Sequence, residues 1–244
     1  LKAVGGWGKK VRIAAKEVDW HAFSIRWGAF MTGLWVMAFG IALMIRADLG
    51  LAPWDVLHMG LAMVTPLTVG MWLQLVGFTL VGLAAVLDRK WPGAGALLNM
   101  LLVGFFVDLF LAIPWLVTPV NIWGQWGMLI AGIAVMGIGC GLYIAPRLGA
   151  GPRDGVVLAL SDRWGLSVGR VRLGMEVGVL VCGWMLGGPV FIGTLLFSLA
   201  IGPMMQTSIQ FWEKMIEQWL GRGVHIEGIH QRAVRPYHHD GLGG

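Results

Sequence analysis

The sequence predicts an all-α, polytopic membrane protein: six transmembrane helices plus two short re-entrant half-helices in an inverted 3+3 repeat. Three observations lead there. Of 244 residues, 57% are hydrophobic and only 13% charged, against about 25% charged in a water-soluble domain. Six apolar stretches are each long enough to span a bilayer. The chain also aligns with itself at a shift of 99 residues. The same composition excludes disorder, which needs few apolar and many charged residues. The 38 glycines show no three-residue period, which excludes a collagen-like chain.

The elements follow in order. Residues 1–22 interleave Trp7, Val11, Ile13 and Trp20 with Lys9, Lys10, Arg12 and Lys16. That pattern predicts an amphipathic segment lying on an anionic leaflet. Long helices are expected near 23–47, 68–88, 93–117, 123–146, 168–188 and 191–213, each able to cross a ~30 Å hydrocarbon core at ~1.5 Å per residue. Two shorter apolar pieces, 55–64 and 154–160, reach only part of the way. The domain organisation is therefore an interfacial segment (1–22), a first membrane repeat (23–117), a second, inverted repeat (118–213) and a cytoplasmic tail (214–244).

Charge sets the expected orientation. With six spans and a cytoplasmic N-terminus, 17 of the 18 Lys and Arg residues fall on the cytoplasmic side and Arg46 alone falls outside. Making both short pieces span would move Arg89, Lys90 and Arg147 outward, so the six-span reading with both termini cytoplasmic is preferred. The net charge of +5 is accordingly a topology signal and not a nucleic-acid footprint.

The internal repeat is most visible around one motif. GIALMIRADLGLAPWD (40–55) aligns with GCGLYIAPRLGAGPRD (139–154) with seven of sixteen positions identical, and LTVG (67–70) falls on LSVG (166–169). A one-residue deletion brings GALLNMLLVG (95–104) onto GTLLFSLAIG (193–202). Chance apolar matching does not readily place an LG-x-x-P-x-D element and a downstream [T/S]VG in register. Each copy holds three spans, an odd number, so the second enters the membrane from the opposite side.

The motif ends one helix and starts a short one. Gly50 and Gly149 are expected to take positive φ and turn the chain. Pro53 and Pro152 suit a first helical turn. Asp55 and Asp154 then meet the unpaired N–H groups of that turn. Both carboxylates are either caps of the re-entrant turn or members of a central site. His58 is a candidate proton carrier or a hydrogen-bonded core histidine. Arg153 is a candidate anion ligand or a neutraliser of Asp154. Glu176, near the middle of the fifth long helix, is a candidate functional carboxylate because charge at that depth is costly; its expected partners are Arg172 or Arg153. Asp108 is expected to pair with Arg46.

Several classes find no support. Cys140 and Cys182 sit in apolar runs and read as free packing thiols. No phosphate-binding loop, HExxH, CxxC or GxSxG occurs, so no ATP-driven, metal, cofactor or catalytic chemistry is expected, and the chain is not read as an enzyme. The 14 methionines form no ladder and read as core filler. The tail carries His225, His230, His238 and His239 among Gly and Arg and reads as mobile.

The LG-x-x-P-W-D half-helix, the LGAGPRDG stretch, the helix carrying Glu176 and the closing GTLLFSLAIGP together resemble the YczE/YyaS/YitT-like bacterial integral membrane proteins. The resemblance is nearest to the YczE-type branch and covers about residues 23–213. It implies a bacterial cytoplasmic (inner) membrane location but supplies no reaction. The leading expectation is thus a small secondary transporter or permease for a small-molecule solute, working by alternating access around the two half-helices. Asp55, His58, Arg153, Asp154 and Glu176 are the candidate substrate-binding residues, and Gly50, Pro53, Gly149 and Pro152 the structural motif. Besides the lipid bilayer, the expected partners are such a solute, a second copy of the chain or a larger membrane complex. The alternative is a non-transporting accessory or scaffold subunit.

Overall fold

The computed structural model describes residues 19–88, 93–149 and 151–220, without the side chains of Asp88, Pro152 and Asp154. Most of the expected interfacial segment and the tail from Gly221 lie outside the described residues. Eight helices follow in order: α1 (Trp20–Ala47), α2 (Pro53–Val64), α3 (Val69–Asp88), α4 (Ala94–Leu111), α5 (Ile122–Ile144), α6 (Pro152–Trp164), α7 (Val168–Met185) and α8 (Ile192–Trp219). Five of them, α1, α3, α4, α5 and α8, are long and apolar enough to cross a membrane. The remaining expected span, the fifth in order, is α7; it has 18 residues but carries Arg170, Arg172 and Glu176, which lowers its apolar character.

Local chemistry sets the ends. Asp19 caps α1 by accepting from the backbone N–H of His21 and Ala22, and Asn121 caps α5 through Gly124 N–H. The short helices α2 and α6 instead open on Pro53 and Pro152 with no side-chain cap. With 12 and 13 residues, each is about 18–20 Å long, roughly half to two-thirds of a hydrocarbon core.

Gly50 takes φ 111° as expected, but Gly149 does not adopt positive φ. The left-handed residues at these turns are Asp48 (φ 55°) and Arg147 (φ 57°), which stand 99 positions apart. In the second copy the reversal is therefore completed before Gly149. That glycine serves close approach: a Cβ there would sit 3.0 Å from the backbone nitrogen of Ala96.

α1 and α5 form the centre of the packing. Between apolar helices in lipid, close approach of small residues replaces the hydrophobic drive available in water. A methyl group on Gly33 would strike the Tyr143 backbone, on Gly40 the Met136 backbone, on Gly139 the Met37 backbone, and on Gly132 the Met44 backbone. Numbers rise along α1 as they fall along α5, so the two helices run antiparallel. These contacts also come in pairs: replacing each residue by its partner 99 positions away turns Gly40–Met136 into Gly139–Met37, and Gly33–Tyr143 into Gly132–Met44.

The same exchange relates other contacts. Gly183 of α7 packs on Val56 and Leu57 of α2, and Ala84 of α3 packs on Gly155 of α6. Gly193 at the start of α8 abuts the carbonyl of Leu49, and Gly95 at the start of α4 abuts that of Leu148. Helix against helix, α1·α4 answers to α5·α8, α2·α7 to α6·α3, and α2·α3 to α6·α7. One extensive packing has no counterpart. α3 lies along α4, but no comparable contact joins α7 to α8 among the described residues.

Candidate functional site

A cavity of about 420 Å³ lies between the helices and is lined from both halves of the chain. Its size falls within the range of small-molecule sites. Most of the wall is apolar, including Ile41, Leu73, Met100 and Val103, and the polar wall groups include His58, Asn99, Arg153, Arg172, Glu176 and Ser198. The residues before the two prolines, Ala52 and Gly151, are also in the wall, so the first turns of α2 and α6 border one space.

Those two turns touch. The Arg153 guanidinium lies over the Trp54 indole, 4.7 Å from the ring centroid, a cation–π contact worth about 0.5–2 kcal/mol. Trp54 and Arg153 occupy the same position of the two LG-x-x-P-x-D motifs. Sequence comparison presents them as a difference between the copies, whereas in space each is the other's neighbour. The signal that points to this meeting is the repeat itself.

Asp55 and His58 are 2% and 1% exposed. His58 Nδ1 lies 3.6 Å from Asp55 Oδ1, outside hydrogen-bond reach, and among the described residues neither His58 Nδ1 nor Asp55 Oδ2 has a hydrogen-bond partner. The i,i+3 spacing brings them together on one face of α2. His58 lines the cavity, and Asp55 is not among its described wall residues. Asp154 lies in the first turn of α6, and its side chain falls outside the described residues.

Glu176 pairs with Arg172 at 3.2 Å between Oε1 and Nε, the first of its two expected partners. It is not deeply enclosed: the two side chains are 38% and 50% exposed, because α7 stands away from α8 and leaves this face of the cavity open. The expected Arg46–Asp108 pair does not form. Arg46 Nη2 donates to the Leu111 carbonyl at 2.6 Å, one of the orphan acceptors at the end of α4. Asp108 accepts from the Thr68 hydroxyl at 2.5 Å and from Gly70 N–H at 2.9 Å, which caps the start of α3. An ion pair missed by sequence reasoning joins Arg147 to Glu213 at 2.8 Å and ties the end of α5 to α8. Among the described residues no group of three His, Cys, Asp or Glu side chains converges as a metal site would require. Cys140 is buried in the cavity wall and Cys182 is exposed; neither is in a disulfide.

Comparison with known proteins places this arrangement in a family. Residues 24–210 match a family of unknown function, DUF6198. The chain is 38% identical over 187 residues to the uncharacterised membrane protein YczE of Bacillus subtilis, covering 76% of this chain and 86% of that one. It is 32% identical over 204 residues to an uncharacterised protein of Haemophilus influenzae, covering 81% and 92% respectively. It is 30% identical over 176 residues to the uncharacterised protein YyaS of Bacillus subtilis, covering 71% and 86%. No solved structure matches. Matched over well more than half its length and built on five long apolar helices, the chain belongs to the DUF6198 family and is a multi-pass integral membrane protein.

Proposed function

We propose that the protein is a small secondary transporter or permease of the bacterial cytoplasmic membrane, with both termini cytoplasmic. In this reading 23–117 and 118–213 form an inverted 3+3 repeat, α7 is also a span, and α2 and α6 are re-entrant half-helices whose first turns meet near mid-membrane. The paired contacts support it. Antiparallel α1 and α5, exchanged by the same operation that exchanges their contacts, are what a two-fold axis in the membrane plane produces.

The observation that carries the transport reading is the one extensive packing left unmatched. α3 is closed on α4 while α7 is parted from α8, and the cavity is walled by α7 and α8 residues on that open side. An inverted repeat reaches its opposite state by exchanging the conformations of its halves. The complementary state then has α7 on α8 and α3 off α4, with the same cavity opened at the other end. His58, Arg153 and Glu176 in the cavity wall supply the polar centre, and His58 with the buried Asp55 beside it is the proton-carrying candidate.

Uptake of a broad solute panel into proteoliposomes tests this, wild type against Glu176→Gln. Gradient-driven flux in the wild type that falls in the variant supports the proposal. Absence of flux for every solute under both proton and sodium gradients would overturn it.

A second reading has its own observation. In α7 Val171 and Gly183 are buried, whereas Leu173, Val177, Val181, Trp184 and Met185 are exposed. An accessory subunit that packs this face on a larger membrane complex would present such a surface. A partner that co-purifies stoichiometrically and protects α7 from lipid-phase labelling distinguishes it from the transporter.

A further inference from the structure

We infer that the cavity binds an uncharged, largely apolar solute through an amide-like hydrogen-bonding edge that Asn99 reads. This rests on the cavity taken above as the transport site and adds the class of its ligand.

Asn99 of α4 is 8% exposed and stands in the cavity wall. A buried amide ordinarily finds hydrogen-bond partners, and in a membrane helix it ordinarily finds them on a neighbouring helix. Among the described residues the Asn99 side chain makes no hydrogen bond. Nor is it sealed. The fully enclosed polar atoms without a partner belong to Arg26, Arg46, Asp55 and His58, so Asn99 Oδ1 and Nδ2 keep open surface, and the space beside them is the cavity.

The repeat supplies an internal control. Aligning GALLNMLLVG (95–104) with GTLLFSLAIG (193–202) sets Asn99 against Phe197, which also lines the cavity. A phenyl ring completes the wall at this position in the second half, so packing of the fold does not call for an amide in the first.

The charged groups of the described wall are engaged. Arg172 pairs with Glu176 at 3.2 Å, Arg153 lies over Trp54, and both arginines have further interactions. His58 has Nδ1 enclosed beside Asp55. A charged solute would have to displace one of these pairings or bury its own charge unmatched, which desolvation penalises. A neutral solute does neither.

Asn99 offers a donor group and an acceptor side by side. Its complement is another neutral edge of the same kind, as in a carboxamide or lactam. A solute with an acceptor alone leaves Oδ1 unmatched. Leu73, Val76, Leu80, Met100 and Val103 elsewhere in the wall suit a hydrocarbon body, whereas a sugar-like solute would leave several hydroxyls unpaired there.

The test titrates benzamide, cyclohexanecarboxamide and hexanamide onto the purified protein in phosphatidylcholine nanodiscs. Saturation-transfer difference NMR reads binding, with empty nanodiscs subtracted. Benzoate and benzylamine replace the amide by a charge, and acetophenone replaces its NH₂ by a methyl group. Saturable amide binding is expected, with benzoate and benzylamine weaker than benzamide by about tenfold or more and acetophenone weaker severalfold. Asn99→Leu, similar in size, should weaken benzamide about tenfold and erase its advantage over acetophenone, with Gly169→Ala as wild type. Should Asn99→Leu fail to fold, the wild-type comparison of benzamide with acetophenone decides. Four results overturn the inference: no saturable binding of any of the three amides, a charged analogue binding as tightly as benzamide, acetophenone equal to benzamide in the wild type, or an undiminished amide preference in Asn99→Leu. The first is what a cavity that solvates Asn99 with water alone would give. Amide binding without flux of any solute refutes transport and leaves this site standing. Flux of other solutes without amide binding does the reverse.

Discussion

Gly70 packs backbone to backbone on Gly104: a Cβ on either would fall on the carbonyl oxygen of the other. The residues one repeat away, Gly169 and Gly202, have nothing within 4 Å where a Cβ would stand. Four glycines aligned by the duplication thus occupy two environments, one closed and one open. That contrast locates the difference between the halves at the α3·α4 and α7·α8 junctions.

The contrast predicts unequal effects of one substitution. Gly70→Ala and Gly104→Ala overpack the closed junction and should each destabilise by about 1–3 kcal/mol. Gly169→Ala and Gly202→Ala meet open space and should be neutral, or gain up to about 1 kcal/mol of helix propensity. Thermal unfolding in one detergent compares all four. Equal losses at all four positions would mean that α7 and α8 are packed together in solution.

Asp108 holds the closed junction through the start of α3. Removing its carboxylate in Asp108→Ala leaves Thr68 and Gly70 N–H without this acceptor, at a cost of about 0.5–2 kcal/mol. Amide exchange should accelerate first at the opening turn of α3 and not at that of α7. In the second half Gln206 aligns with Asp108, and Gln206→Ala is expected to leave α7 unchanged.

The α1–α5 crossing is expected to be the least tolerant element. Gly40→Val and Gly139→Val each push a branched side chain into the opposite backbone. Each should cost about 1–3 kcal/mol or more, and the double variant should not be additive, because both act on one crossing. The fraction of monodisperse protein after extraction measures this. Wild-type yields from either variant would contradict the packing.

The Arg147–Glu213 pair is 20% exposed on each side and fastens α5 to α8. Glu213→Gln should cost no more than about 1 kcal/mol and remove part of the salt dependence of the melting temperature. Arg147→Gln should lose the same pair. A salt response unchanged in both would show that the pair contributes nothing.

Much of the architecture was legible in the sequence because membrane helices are written in runs of apolar residues and bounded by Pro, Gly and caps. The expected span 68–88 became 69–88, and the short piece at 55–64 became a short helix from Pro53. The prolines of the two LG-x-x-P-x-D motifs were legible as well, since Pro53 and Pro152 open α2 and α6 as proline suits a first helical turn. Side-chain partnerships were not. Arg46 and Asp108 share a side of the molecule, yet each satisfies orphan backbone groups at a helix end, a competition that charge alone does not reveal. Glu176 reads as deeply placed from its position in a span. Its exposure follows from the parting of α7 from α8, which no local pattern encodes.

In the proposed alternating-access cycle the two junctions exchange states. Spin-label pairs at Met71→Cys/Leu109→Cys and at Arg170→Cys/Thr207→Cys, all exposed positions, report on α3·α4 and α7·α8 in a background lacking Cys140 and Cys182. Double electron–electron resonance in nanodiscs should show two distances for each pair, with populations that shift in opposite directions across proton concentrations and solutes. A single fixed distance for both pairs under every condition would contradict the account.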